Sequence, residues 1–273
     1  MRDEFLVFKE YYRQAANKVA VDSFYRQTMN HKFKHSIEVL HIGQTILQQT
    51  PELAHQTEEF KRLAEIALLF HDVGRFEEAA RQDAAQRKNI TVAAASNVYD
   101  HGLIGYELLK QNPRYNDMRI LFALKWHGKM MEAITSSADW QEVMLLPEFE
   151  EIKQILFLVR DADKLANLHH IKVENHLTKD LFYRQLTLDA LHAPISEKVL
   201  QQFLAHHTIL FPTVYSFADR VLMVLSWIFD LNYQVSKKIF REQKYASYLL
   251  DLLAQNHINS EVIVQIKQLI KKG

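Results

Sequence analysis

The sequence predicts an all-α protein, and three observations carry that reading. Glycine and proline are scarce, six and five among 273 residues, so few tight turns are available to join strands. Period-two alternation between Gly/Asn turns is rare. Apolar residues instead recur at spacings of three and four, the helical period. The expectation is roughly ten to twelve helices on short loops. No internal repeat, low-complexity tract or linker interrupts them, so residues 1–273 read as one helical domain.

A first helix is expected over 3–20, with Phe5, Phe8 and Tyr12 on one face. Asn30 is placed to cap the second, about 31–49, whose inner face carries His35, Val39, Ile42 and Ile46. Pro51 ends it. Thr57 caps a third helix over 58–72, and Gly74 supplies the left-handed residue on which such helices often end. Residues 77–99 mix alanine-rich and polar stretches with Arg81, Arg87 and Lys88 and hold no firm period. They read as a long loop or loose helix, and such loops in compact domains often serve as lids. Asp100 caps a helix from His101 to about Lys110, stopped by Asn112-Pro113. Another runs from Asp117 to Trp126 and ends in His127-Gly128. Pro147 suits the first position of a helix over 147–166. Further helical segments follow near 178–190, 196–207, 213–231, 235–241, 243–255 and 260–271.

Composition narrows the function. Apolar residues form 48% of the chain, enough for a sizeable core. Lys+Arg and Asp+Glu balance at 33 each, which argues against a protein whose main work is gripping a nucleic-acid backbone. Cysteine is absent, which excludes disulfides, Cys-zinc sites, iron–sulfur clusters and thiol nucleophiles, and fits a reducing compartment. Met1-Arg2-Asp3-Glu4-Phe5 carries acids where a signal peptide is basic then apolar. No apolar run approaches the ~20 residues of a membrane span. We expect a soluble, cytoplasmic protein with no membrane partner, its self-association left open.

Within this helical frame, His71-Asp72-Val73-Gly74-Arg75 stands out. It closes an apolar run, Leu63 to Phe70, and sets an imidazole beside a carboxylate at a buried helix end. That pair suits a divalent metal. Four further residues lie on or at the ends of expected helices: His35, His101, His127 and Asp163. Asp163 follows the apolar run Ile155 to Val159, where an unpaired charge costs several kcal/mol, on the order of that for any isolated buried ion. Taken singly, each has an ordinary reading: a satisfied core histidine, a helix-start histidine beside the Asp100 cap, an aspartate paired with Arg160 or Lys164. Together they form a set of four histidines and two aspartates, about what two metals need with an aspartate between them.

The ordered segments resemble the HD-domain metal-dependent phosphohydrolase superfamily. They are His35-Ser36-Ile37-Glu38-Val39, Leu69 through Phe76 around the doublet, Asp100-His101-Gly102, Lys125-Trp126-His127, and Val159-Arg160-Asp161-Ala162-Asp163-Lys164-Leu165. The resemblance spans about residues 31–168, leaving 169–273 as a helical extension, and continues weakly near Leu225 to Asp230. It implies an HD-type helical bundle. It also implies that His35, His71, Asp72 and Asp163 bind one metal, and that Asp72 bridges to a second held by His101 and His127. Asp163 matches the Ala-Asp-Lys-Leu pattern, whereas Asp161 reads as a contact one layer out. Arg75 stands where the family often carries a cation facing substrate phosphate. The implied activity is hydrolysis of a phosphate ester or anhydride of a small metabolite by a metal-activated hydroxide, nucleotides being favoured by family base rate alone. Imidazole-rich ligand sets favour Mn, Fe, Co, Ni or Zn, with Mg left open.

Some features separate branches of that family. The acidic pair of alarmone hydrolases is poorly matched by Gly74-Arg75-Phe76-Glu77-Glu78, and Gly128-Lys129-Met130-Met131 lacks the Gly-Tyr-Pro stretch of the cyclic-dinucleotide branch. Two alternatives stay open on the ligand set: a di-iron oxygenase, and a ligand-sensing HD module without catalysis. Lys164 reads as the partner of a carboxylate rather than of phosphate. His169-His170 and His206-His207 read as surface or helix-end residues.

Overall fold

The computed structural model describes residues 1–88, 100–178, 181–256 and 258–272. Among them there is no strand, as the glycine-poor, helix-periodic sequence predicts. They form two compact units, Met1–Asp163 and Lys164–Gly273.

The first unit holds α1 (Arg2–Ala16), α2 (Phe24–Gln49), α3 (Pro51–Ala54), α4 (Glu58–Phe70), α5 (Gly74–Arg87), α6 (His101–Lys110), α7 (Met118–Trp126), α8 (Met131–Thr135), α9 (Ala138–Val143) and the start of α10 (Phe149–Glu174). Aromatic rings lock its N-terminal helices together. Phe8 of α1 meets Phe33 of α2 at 5.2 Å, Phe70 of α4 at 5.5 Å and Phe76 of α5 at 5.4 Å. Phe5 and Tyr12 meet Phe33 as well, so the expected face of α1 is the one used. Phe70 is wholly buried and immediately precedes His71, so this aromatic plug fixes the base of the doublet. A second cluster of Phe122, Ile134, Trp140, Val143, Ile152 and Leu156 packs α7, α8 and α9 against α10.

Caps explain most helix starts. Thr57 accepts from the Phe60 amide at 3.1 Å, Asp100 from Gly102 and Leu103 at 3.0 and 3.2 Å, and Asp117 from Arg119 at 2.9 Å. Several expectations need correction. α2 starts at Phe24 with Ser23 as its cap, and Asn30 lies inside it, accepting a hydrogen bond from the Tyr12 hydroxyl. Pro51 opens α3 rather than merely ending α2. Of the two readings of 77–99, long loop or loose helix, the helix holds as α5 as far as Arg87, while 89–99 lie outside the described residues. Gly74 is not left-handed; no described glycine is. It begins α5, and a β-carbon there would lie 2.0 Å from the His101 carbonyl oxygen, so its role is close approach of α5 to α6. α10 starts two residues after Pro147, at Phe149, and runs past the expected end to Glu174.

The second unit continues through α11 (Leu181–Gln185), α12 (Leu188–His192), α13 (Glu197–Leu204), α14 (Phe217–Leu225), α15 (Gln234–Glu242), α16 (Tyr245–Gln255) and α17 (Ser260–Lys272). That makes seventeen α-helices among the described residues. The sequence undercounts them because pieces of four to six residues are too short to show a period. A capping box at Ser216 and Asp219 starts α14, whose Val221, Leu222, Val224 and Leu225 are buried. Lys164 pairs with Asp230 at 3.0 Å, the carboxylate role expected for it. No helix among the described residues is long and apolar enough to cross a membrane.

Candidate metal centre

Two helix ends build the centre with the same local device. α4 stops at Phe70 and α7 at Trp126, and each is followed by a histidine in helical conformation. His71 Nδ1 lies 2.9 Å from the Leu68 carbonyl oxygen, and His127 Nδ1 lies 2.9 Å from that of Leu124. A carbonyl only accepts, so each Nδ1 donates to it and each Nε2 is left to face the carboxylate of Asp72. His35 projects from α2, His101 opens α6, and Asp163 comes from α10.

The four histidines converge on Asp72, which is 2% exposed. Its Oδ2 faces His71 Nε2 at 3.5 Å and His35 Nε2 at 3.9 Å. Its Oδ1 faces His101 Nε2 at 3.5 Å and His127 Nε2 at 3.6 Å. Asp163 Oδ1 completes the first side, 2.9 Å from His35 Nε2 and 3.7 Å from His71 Nε2. On the other side, His101 and His127 bring their Nε2 atoms within 3.4 Å. Two overlapping groups have ligand atoms close enough to hold a metal ion: His35, His71 and Asp163, and His71, Asp72 and His127.

The HD domain family model matches residues 33–168, the stretch that contains all of these side chains. This chain belongs to the HD-domain family. The HD domain implies the metal-dependent hydrolase superfamily, whose members bind divalent ions. No curated protein and no solved structure matches the chain.

The HD residues suit a cation on electrostatic grounds. His71 Nε2 is buried and makes no hydrogen bond of ordinary length, facing the carboxylates of Asp72 and Asp163 at 3.5 and 3.7 Å. Burial drives the His35 imidazole down to about 4, helped by the charge of Lys32, and holds His101 well below its usual value, helped by Arg75. Both rings are therefore neutral and available as ligands. Burial would raise the Asp72 carboxyl, but Lys32 and His71 outweigh it and hold it ionised. Burial likewise opposes ionisation of Asp163, and the contact with His35 outweighs that. Burial pushes His71 down, yet Asp72 and Asp163 pull it up, which is the signature of a pocket that attracts positive charge.

Two residues of the HD site escape sequence reasoning. Lys32, one turn before His35 on α2, places its Nζ 2.8 Å from Asp72 Oδ2. Glu78, only 8% exposed on α5, takes a hydrogen bond from Arg75 at 2.8 Å. Arg75 Nε in turn lies 3.6 Å from Asp72 Oδ1. Their i,i+3 spacing to His35 and Arg75 is the only signal in the chain, and it requires knowing those helices first. Asp161 is fully buried and belongs to neither ligand group.

Proposed function

We propose that this is a binuclear, metal-dependent phosphohydrolase acting on a small phosphorylated metabolite, with His35, His71, Asp72 and Asp163 holding one ion and Asp72, His101 and His127 the other. The two-sided setting of Asp72 carries the reading: each carboxylate oxygen faces a different pair of imidazoles, as a bridging ligand requires. When bound, the two ions supply a hydroxide nucleophile and polarise the phosphoryl group. Arg75 contributes a guanidinium beside Asp72, its Nε 3.6 Å from Oδ1, and would offer its positive charge to an anionic oxygen held there. Asp72 and Glu78 hold that group firmly charged against its burial. Glu78 fixes it from behind, which spares reorganisation as charge develops on phosphorus. The cysteine-free composition fits the reducing cytoplasm, where we place the reaction.

The test is a manganese-supplemented screen of aryl phosphate mono- and diesters and phosphorylated metabolites, with metal content measured on protein purified without chelator. We expect close to two ions per chain. Asp72→Ala and His71→Ala should each lower kcat/KM by about 10³ or more, roughly 4 kcal/mol of transition-state stabilisation. Unchanged rates in both variants would remove the reading. Metal binding without turnover on any phosphate would point to the ligand-sensing alternative.

A further inference from the structure

His127 sits at a vulnerable point of the fold. α7 has ended at Trp126, and the last carbonyls of a helix have no partner within it. The turn that follows, His127-Gly128-Lys129, is closed by a backbone bond from the Lys129 amide to the Trp126 carbonyl at 3.1 Å. His127 itself is only 5% exposed, so its carbonyl cannot rely on water. Arg160 of α10 reaches this turn from behind. Its Nη1 donates to the His127 carbonyl oxygen at 2.9 Å and to that of Lys129, straddling Gly128. Arg160 is 2% exposed and among the largest fully buried side chains. A guanidinium so buried is costly unless its donors are satisfied.

The same helix carries Asp163, one turn further on. α10 therefore serves both halves of the centre, through Asp163 beside His35 and through Arg160 beneath His127. The two halves differ in redundancy. The first has four candidate ligands; the second has His101, His127 and one oxygen of Asp72. Loss of a fixed His127 removes a large share of the second and little of the first.

We propose that Arg160 is a positioning residue that sets the orientation of His127 and, through it, the occupancy of the second metal position. The inference rests on the binuclear reading above. The test titrates Mn²⁺ into metal-free full-length wild type, Arg160→Met, Arg160→Lys and His127→Ala, by calorimetry and by electron paramagnetic resonance. Wild type should bind two ions and give the signal of a coupled manganese pair. Arg160→Met should keep the tighter site and weaken the other about 10–100-fold, the range for loss of a partner that orients a metal ligand. Its coupled-pair signal should give way to isolated Mn²⁺ and return at high metal, with Arg160→Lys intermediate. His127→Ala should lose the pair at any concentration.

Equal affinity for both ions in Arg160→Met would overturn the proposal, and so would parallel loss of both sites. Failure of both Arg160 variants to fold would assign the residue a general structural role and also overturn it. Failure of the binuclear reading is distinguishable, because then wild type itself binds fewer than two ions.

Discussion

Lys32 and Asp72 form a close ion pair in the centre, and a metal would change what that pair is worth. Without a cation, Asp72 is a buried carboxylate whose nearest full charge is the Lys32 ammonium at 2.8 Å. With divalent ions on either side, that compensation is redundant and the ammonium is repelled. Lys32→Met should therefore destabilise the metal-free protein by about 1.5–3 kcal/mol, the range for losing a hydrogen bond to a charged group, and the metal-loaded protein by much less. Linkage makes the two effects one: the variant should bind metal more tightly, by up to about a hundredfold. Urea unfolding in chelator and in excess Mn²⁺, with a metal titration, checks both halves. Equal destabilisation in the two conditions would mean that Lys32 keeps its bond to Asp72 when metal is present. His71 shows why the doublet is the most legible residue feature. An imidazole and a carboxylate side by side after an apolar run have few other uses, whereas Lys32 on its own helix looks like any solvated lysine.

The element that most constrains the centre is the contact between α5 and α6. Gly74 begins α5 where the His101 carbonyl leaves only 2.0 Å for a β-carbon and the Gly105 amide 2.7 Å. Both obstacles are backbone, so no side chain can yield. Gly74→Ala should force the two helices apart, costing about 1–3 kcal/mol by overpacking and displacing His101 from Asp72. Thermal unfolding should register the loss, and weaker binding at the proposed second metal position should accompany it. A variant with wild-type stability and metal content would show that the helices separate freely. This glycine also marks the limit of sequence reading. Its position after a helix suggests a left-handed cap, but close packing between two helices leaves no trace in a single sequence. α5 was obscured for a related reason: its Ala- and Arg-rich stretch lacks a clean apolar stripe, and its helicity comes from packing Phe76, Ala79 and Ala80 into the unit. By contrast, the caps Thr57 and Asp100 are written in local chemistry, and their helices start where the sequence puts them.

At the scale of the molecule, the candidate ligands come from α2, the end of α4, α6, the end of α7 and α10, all within Met1–Asp163. An ion held by them would tie together helices far apart in sequence, in a site that the unfolded chain cannot form. Such binding adds to folding free energy by mass action, about 2.7 kcal/mol when free metal is 100 times its dissociation constant. For a unit of this size each kcal/mol moves the midpoint by about 2–4 °C, so one saturated site should raise it by about 5–10 °C. Chelation should reverse that rise. Two tryptophans, Trp126 and Trp140, lie in the first unit and Trp227 in the second. In a Trp227→Phe background the fluorescence reports only the first unit, which is where the metal-dependent shift must occur. Asp72→Ala in that background should abolish the shift, because it removes the carboxylate that both proposed ion positions share. A midpoint that ignores metal in the intact site would mean that these five segments assemble for reasons of packing alone.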